Sequence, residues 1–166
     1  MEFSLDLNLI FNTVIAFALA LFVKFLLDFK LALYIVKYLH FLPVRSFFRV
    51  KPVVLNGAWN QRWDVESANF SEENARQSFS SIRQFGSYCY SEFESNKSIY
   101  VLFGRLDRDQ LIGEWFDMND PLGYSGSFHF IIKNQHHMEG MWIGNSKTIV
   151  AVKSGTWRWT KQRDSS

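Results

Sequence analysis

Residues Leu55 to Val65 read LNGAWNQRWDV. Leu55, Gly57, Trp59, Gln61, Trp63 and Val65 alternate with Asn56, Ala58, Asn60, Arg62 and Asp64. A repeat of two is the signature of a strand, because successive side chains leave opposite faces of extended backbone. The alternation puts the bulky set on one face of the strand and the polar set on the other.

Downstream the pattern recurs. Candidate strands run from Ser80 to Phe93, Ser98 to Leu106, Gln110 to Met118, Tyr124 to Lys133, Met138 to Gly144, Thr148 to Val152 and Gly155 to Lys161. Turn residues divide them at Ser95-Asn96, Asp107-Arg108-Asp109, Asn119-Asp120-Pro121, Asn134-Gln135, Asn145-Ser146 and Ser154-Gly155. The triplet Gly-x-Trp occurs at Gly57-Ala58-Trp59, Gly113-Glu114-Trp115, Gly140-Met141-Trp142 and Gly155-Thr156-Trp157. Small barrels use glycine where strands bend and alternate small with large residues to fill a taper. The chain is therefore expected to be mainly β: an antiparallel, lipocalin-like small barrel of about eight strands, which can be packed solid or hold one small ligand. Phe70 to Phe79 (FSEENARQSF) lacks strand character and is expected to lid one end.

Upstream the material changes. The first 42 residues contain neither Gly nor Pro, and Leu7 to Val23 (LNLIFNTVIAFALALFV) is uncharged. This run reads as a transmembrane helix, extended toward Leu27 if Lys24 snorkels to the interface. Glu2 and Asp6 stand where a signal peptide would be positive, and Ala16, Ala18 and Ala20 lie inside the apolar run, so a retained anchor is expected. Asn8, Asn12 and Thr13 are tolerated helix polarity or hydrogen bonds between copies. Phe29 to Leu42 (FKLALYIVKYLHFL) carries Lys30, Tyr34 and Lys37 as a polar stripe and reads as an interfacial or oligomer-forming helix ended by Pro43. It either continues the first helix or follows an elbow. Two domains result: residues 1–50 as membrane helix and basic junction, residues 51–166 as the barrel.

Charge is distributed accordingly. Residues 24–51 hold six Lys or Arg against Asp28, whereas the chain from Pro52 onward holds 12 against 13 acidic residues. The junction cations Lys24, Lys30, Lys37, Arg45 and Arg49 predict retention on the cytoplasmic side, placing the N-terminus outside and the barrel in the cytoplasm. Phospholipid headgroups would attract them. Cys89 is the only cysteine, which rules out an intrachain disulfide.

No convergent nucleophile, base and stabiliser is visible, nor a phosphate-binding glycine loop or Gly-x-Ser-x-Gly elbow, so no enzyme and no cofactor are expected. His136-His137 reads as a solvated loop and His129 as a structural histidine. Asp117, Asn119 and Asp120 lack the spacing of a calcium hand, leaving no metal site. A near-neutral barrel has no footprint for duplex DNA or RNA. A small nucleotide needs only two or three cations and stacking rings. On residue chemistry the candidate ligand set is Trp59, Arg62, Arg105, Trp115, Tyr124, Trp142, Trp157 and Arg158, with Arg83 and Lys153 as further strand cations. Alternation limits that set: Arg158 faces away from Trp157 and Trp159, so only one group can line a cavity there.

An N-terminal membrane segment, a barrel opening with Leu55-Asn56-Gly57-Ala58-Trp59 and closing with Gly155-Thr156-Trp157-Arg158-Trp159 resembles the cyclic-dinucleotide receptor effectors of bacterial CBASS antiphage systems, the two-transmembrane, β-strand-rich class. The resemblance spans nearly the whole chain, although this sequence shows one clear span. It implies an eight-stranded barrel that binds a cyclic dinucleotide made by a partner nucleotide cyclase, self-association into oligomers, and disruption of the inner membrane in infected cells. Two other readings fit the same residues: a tethered lipocalin-like barrel binding an apolar small molecule in a Phe- and Trp-lined cavity, and a non-catalytic adaptor with a solid barrel.

Overall fold

A computed structural model describes residues 7–27, 29–44, 51–64, 76–145 and 151–162, with helical side chains described from residue 11 to 24 and from 31 onward. Helices α1 (Leu7–Leu27) and α2 (Phe29–Leu39) lead into eight strands: β1 (Gly57–Trp63), β2 (Gln77–Phe85), β3 (Tyr88–Ser95), β4 (Ser98–Asp107), β5 (Gln110–Asp117), β6 (Ser125–Asn134), β7 (His137–Asn145) and β8 (Val152–Lys161). Each strand pairs with the next and β8 pairs antiparallel with β1, so the sheet is a closed barrel without a free edge. The expected eight-stranded antiparallel barrel is the observed architecture.

The agreement in strand number conceals two opposite corrections. Ser80 to Phe93, read as one strand, is the β2–β3 hairpin, broken at Gly86-Ser87, where Gly86 adopts a φ of 60° that costs a glycine nothing. Ser154-Gly155, read as a turn, lies inside β8. A Cβ on Gly155 would stand 1.9 Å from the Asp64 carbonyl oxygen and 2.8 Å from the Trp142 indole nitrogen. Here glycine permits close approach of a neighbouring strand, not a reversal. Gly140 does the same against the His129 carbonyl, at 1.8 Å.

Side chains alternate as the period of two requires. Along β1, Trp59, Gln61 and Trp63 are buried while Ala58, Asn60 and Arg62 are exposed. The main core fills the barrel interior, from Trp59 and Trp63 through Phe93, Leu102, Leu111, Phe128 and Phe130 to Trp157 and Trp159. The lower end of the barrel, bearing the turn at Gly86-Ser87, is plugged by Leu55 with Val53 packed beside it. Gln84 clips this plug: its Oε1 accepts from Leu55 N at 2.8 Å and its Nε2 donates to Val53 O at 2.8 Å. The lid expected from Phe70 to Phe79 is not such a plug where described: Gln77 to Phe79 begin β2, and residues 70–75 lie outside the described residues.

A second core lies outside the barrel. Val36 of α2 is buried against Tyr90, Val101 and Phe103, outward residues of β3 and β4, with Ala32, Leu33, Phe85 and Phe116 at its margin. Lys37 donates to Glu92 Oε1 at 2.6 Å, beneath it Tyr90 OH also donates to Glu92, and the ammonium sits 5.6 Å from the Tyr90 ring centroid. Lys37 is thus paired with the barrel: period two on β3 turns a carboxylate outward, and α2 packs on it. The helix stops at Leu39, four residues before Pro43, with His40 Nδ1 within 3.1 Å of the Lys37 carbonyl.

All described side chains of α1, Phe11 to Lys24, are exposed. Among the described residues no helix is long and apolar enough to cross a membrane. Arg45, Arg49 and the side chain of Lys30 lie outside the described residues.

Candidate functional site

Five of the eight predicted ligand residues gather inside the barrel. Trp59, Trp142 and Trp157 are buried, while Trp115 and Tyr124 pack against the core half-buried. Trp157 is the hub: its ring meets Trp63 at 6.2 Å, Phe93 at 5.5 Å, Phe130 at 5.3 Å and Trp159 at 5.7 Å between centroids. These partners come from β1, β3, β6 and β8, so rings from opposite walls touch across the barrel axis. The edge-on geometry suits aromatic quadrupoles. A second chain of rings links Tyr100, Trp115 and Trp142 at 6.0 and 6.1 Å. Three indole donors are used: Trp59 Nε1 to Leu55 O at 2.8 Å, Trp142 Nε1 to Asp64 O at 3.1 Å, and Trp157 Nε1 to Gln61 Oε1 at 3.0 Å.

One interior wall is polar. Gln61, Ser80, Ser91 and Ser95, from β1, β2 and β3, are all buried. Among the described residues Gln61 Nε2, Ser80 Oγ, Trp115 Nε1 and Trp159 Nε1 have no hydrogen-bond partner, and a buried unpaired donor costs about 1–3 kcal/mol. The candidate list omitted Gln61, although its parity with Trp59 and Trp63 already placed it inside.

The three arginines stand apart from the rings. Arg62, Arg105 and Arg158 are exposed on the outer wall. Trp157 and Arg158 are adjacent in a strand, so one backbone must turn them to opposite sides. Predicted rings and predicted cations therefore form no common cavity. The register does bring two together: Arg62 and Arg158 are Cα partners across β1 and β8. Like charges so placed repel; Asp64 tempers this by lying 3.4 Å from Arg158 Nη1 while also accepting from the Thr156 hydroxyl. Glu139 is the partner of Arg158 on the other flank.

Among the described residues a groove lies where the chain leaving α2 passes the lower end of the barrel. His40, Phe41, Leu42, Pro43, Lys51, Asn56, Gln84 and Gly86 line this groove of about 360 Å³. Phe41 is 69% exposed, its ring in an edge-on pair with that of His40 at 6.3 Å, while Lys51 and His40 supply nitrogen donors. Asn56 Oδ1 accepts from Gln84 N at 2.6 Å, which fixes the floor. The sequence marked none of these as ligand residues: they come from three segments that carry no shared motif.

The remaining chemical groups are dispersed. His129 Nε2 lies 3.1 Å from Gln110 Oε1 on the outer wall, and His137 lies 3.7 Å from Glu139. Among the described residues no cluster of His, Cys, Asp and Glu is arranged to hold a metal ion. Burial pushes the Cys89 thiol far up, so it stays protonated and unreactive. No family model, no curated protein and no solved structure matches the chain.

Proposed function

We propose that this chain is a membrane-tethered, non-catalytic effector: α1 anchors it in a bilayer and the barrel, on the cytoplasmic side, acts as the receiving module. The observation that carries the reading is the exposed apolar surface of α1. Phe11, Val14, Phe17, Leu19 and Phe22 are each between 57% and 65% exposed. A continuous apolar surface of this kind marks a membrane or protein contact, and the barrel core is complete without it. The uncharged composition of Leu7 to Val23 favours lipid. The junction cations favour the inner face of the bilayer.

The resemblance to CBASS effectors points to a cyclic dinucleotide from a partner cyclase as the signal, and to oligomerisation and membrane disruption as the response. The filled interior argues for a nucleotide site outside the barrel axis. The groove beside α2 offers an exposed ring in Phe41 and a cation in Lys51, the two elements that stacking and phosphate contact need. The full chain in lipid nanodiscs should be stabilised against heating by at least one purine or pyrimidine cyclic dinucleotide, with Phe41→Ala and Lys51→Ala each abolishing the shift. Absence of any shift across such a panel would remove the nucleotide.

The second reading, an adaptor whose solid barrel binds protein, is favoured by the contact of Trp157 with rings from opposite walls. It predicts no small-molecule shift at all. An apolar ligand along the axis would have to displace these rings, so a fluorescent fatty acid should not be quenched by the tryptophans.

A further inference from the structure

The two ends of the barrel differ in what they show to solvent. At the lower end the strand turns are Gly86-Ser87, Arg108-Asp109 and Gln135-His136, all small or polar. At the upper end, where β5 passes into β6 through residues 118–124, the exposed side chains include Leu122 at 88% and Met118 at 47%. Ile99, at 41%, lies beside them, because Met118 N donates to Ile99 O at 2.8 Å. Val152, at 69%, opens β8 at the same end.

Single exposed apolar residues are ordinary; here four from three segments lie at the upper end, and the exposed Phe41 and Leu42 at the lower end line the groove. The loop that carries Leu122 is also built to hold it outward. Asp117 Oδ1 accepts from Asn119 N and Asp120 N at 3.0 and 3.2 Å, Asp120 Oδ1 accepts from Leu122 N at 2.9 Å, and Gly123 N donates to Asp120 O at 2.7 Å. With its backbone tied down, the loop presents Leu122 at little conformational cost.

The direction of α2 says what lies opposite this end. Its C-terminal residues His40 to Leu42 gather beside Gly86 at the lower end, and Lys37 reaches Glu92 further up β3. The N-terminus of α2 therefore points to the upper end, and α1 enters there through the single residue 28. Exposed loop apolars and the exposed apolar helix thus share one end of the molecule.

We propose that the upper rim of the barrel, with Leu122 and Met118 leading and Ile99 and Val152 behind, seats on the lipid surface next to α1. The proposal rests on the anchor reading above and adds a second contact to it. Apolar side chains at such an interface sink about 5–10 Å, into the headgroup and upper acyl region. A barrel held at two points keeps a fixed tilt to the bilayer, so a change at the groove by the lower end would be transmitted through a rigid body.

The test uses the full chain in vesicles of phosphatidylcholine and phosphatidylglycerol, with an environment-sensitive dye placed one site at a time at Leu122→Cys, Met118→Cys, Gln135→Cys and Phe17→Cys. Cys89 is fully buried and protonated, so only the introduced thiol reacts. The dyes at Leu122→Cys and Met118→Cys should shift to the blue and be quenched by shallow spin-labelled lipids about twofold more than the dye at Gln135→Cys on the opposite end, as that immersion depth requires. Quenching at Phe17→Cys without quenching at Leu122→Cys and Met118→Cys overturns the rim contact and leaves the anchor standing. A blue shift at Leu122→Cys without lipid quenching also overturns it, assigning the rim to a second copy of the chain. Absence of quenching at every site, Phe17→Cys included, removes anchor and rim together.

Discussion

Trp157 loses most by truncation, because its ring is shared by Trp63, Phe93, Phe130 and Trp159 and its Nε1 donates to Gln61. Trp157→Ala should lower the stability of the barrel by about 3–5 kcal/mol, the usual loss for a large buried aromatic, read as a fall in the midpoint of chemical denaturation. Arg158→Ala, one residue away but on the outer wall, should change it by no more than about 0.5 kcal/mol, since its 3.4 Å pair with Asp64 is half-exposed and Arg62 repels it across the ladder. Ser80 tests the polar wall in the opposite sense. Its buried hydroxyl has no partner among the described residues, so Ser80→Ala should be neutral or stabilising by up to about 1 kcal/mol; a clear loss of stability would show that the hydroxyl is hydrogen-bonded in solution. Much of this was legible from parity alone, since strand period fixes which neighbours of Trp157 share its side. What parity leaves open is whether the rings meet, and that depends on the barrel radius.

Among the elements, α2 departs most from its sequence pattern. A greasy helix with a narrow polar stripe suits an interface, yet the stripe's Lys37 is spent on the barrel. Burial pushes the Glu92 carboxyl up, but hydrogen bonds from Lys37 and Tyr90 and the charges of Lys37 and Arg83 outweigh it and hold the group below the usual carboxylate range. A depressed folded pKa means that the contribution is present above the unfolded value of about 4.3 and fades as pH falls through the folded one. Glu92→Gln should therefore weaken docking of α2 at neutral pH by up to about 1 kcal/mol, the range of half-exposed pairs. Hydrogen exchange of α2 amides should then show the difference from the natural chain shrinking below about pH 4. Val36→Asp should free α2 at neutral pH by placing a charge against Tyr90, Val101 and Phe103. At β8 the expected turn and the observed strand differ through Gly155. Gly155→Ala would drive a Cβ into the Asp64 carbonyl and should cost about 2–4 kcal/mol, measured by thermal unfolding; a glycine in a mere turn would tolerate the change far better.

Across the whole molecule, two cores divide the labour: one closes the barrel and the other fastens α2 to its wall, leaving α1 with its described side chains in the open. Introducing Ile15→Asp with Leu19→Asp should release the chain from membranes in a flotation assay while leaving the barrel's unfolding transition unmoved, because neither side chain belongs to a described core. A shift of both would show that α1 packs on the barrel. The sequence by itself determined the strand class and the split between an apolar leader and an aromatic module, because these follow from local periodicity and composition. Its two boundary errors, at Gly86 and Gly155, cancelled because glycine serves both turns and close approach, and only the neighbouring strand distinguishes them. Tertiary structure alone decided that the interior is filled by rings, that Arg62, Arg105 and Arg158 stay outside it, and that α2 lies on β3 and β4. Each of these depends on which residues distant in the chain are brought face to face, and closure of the barrel sets that.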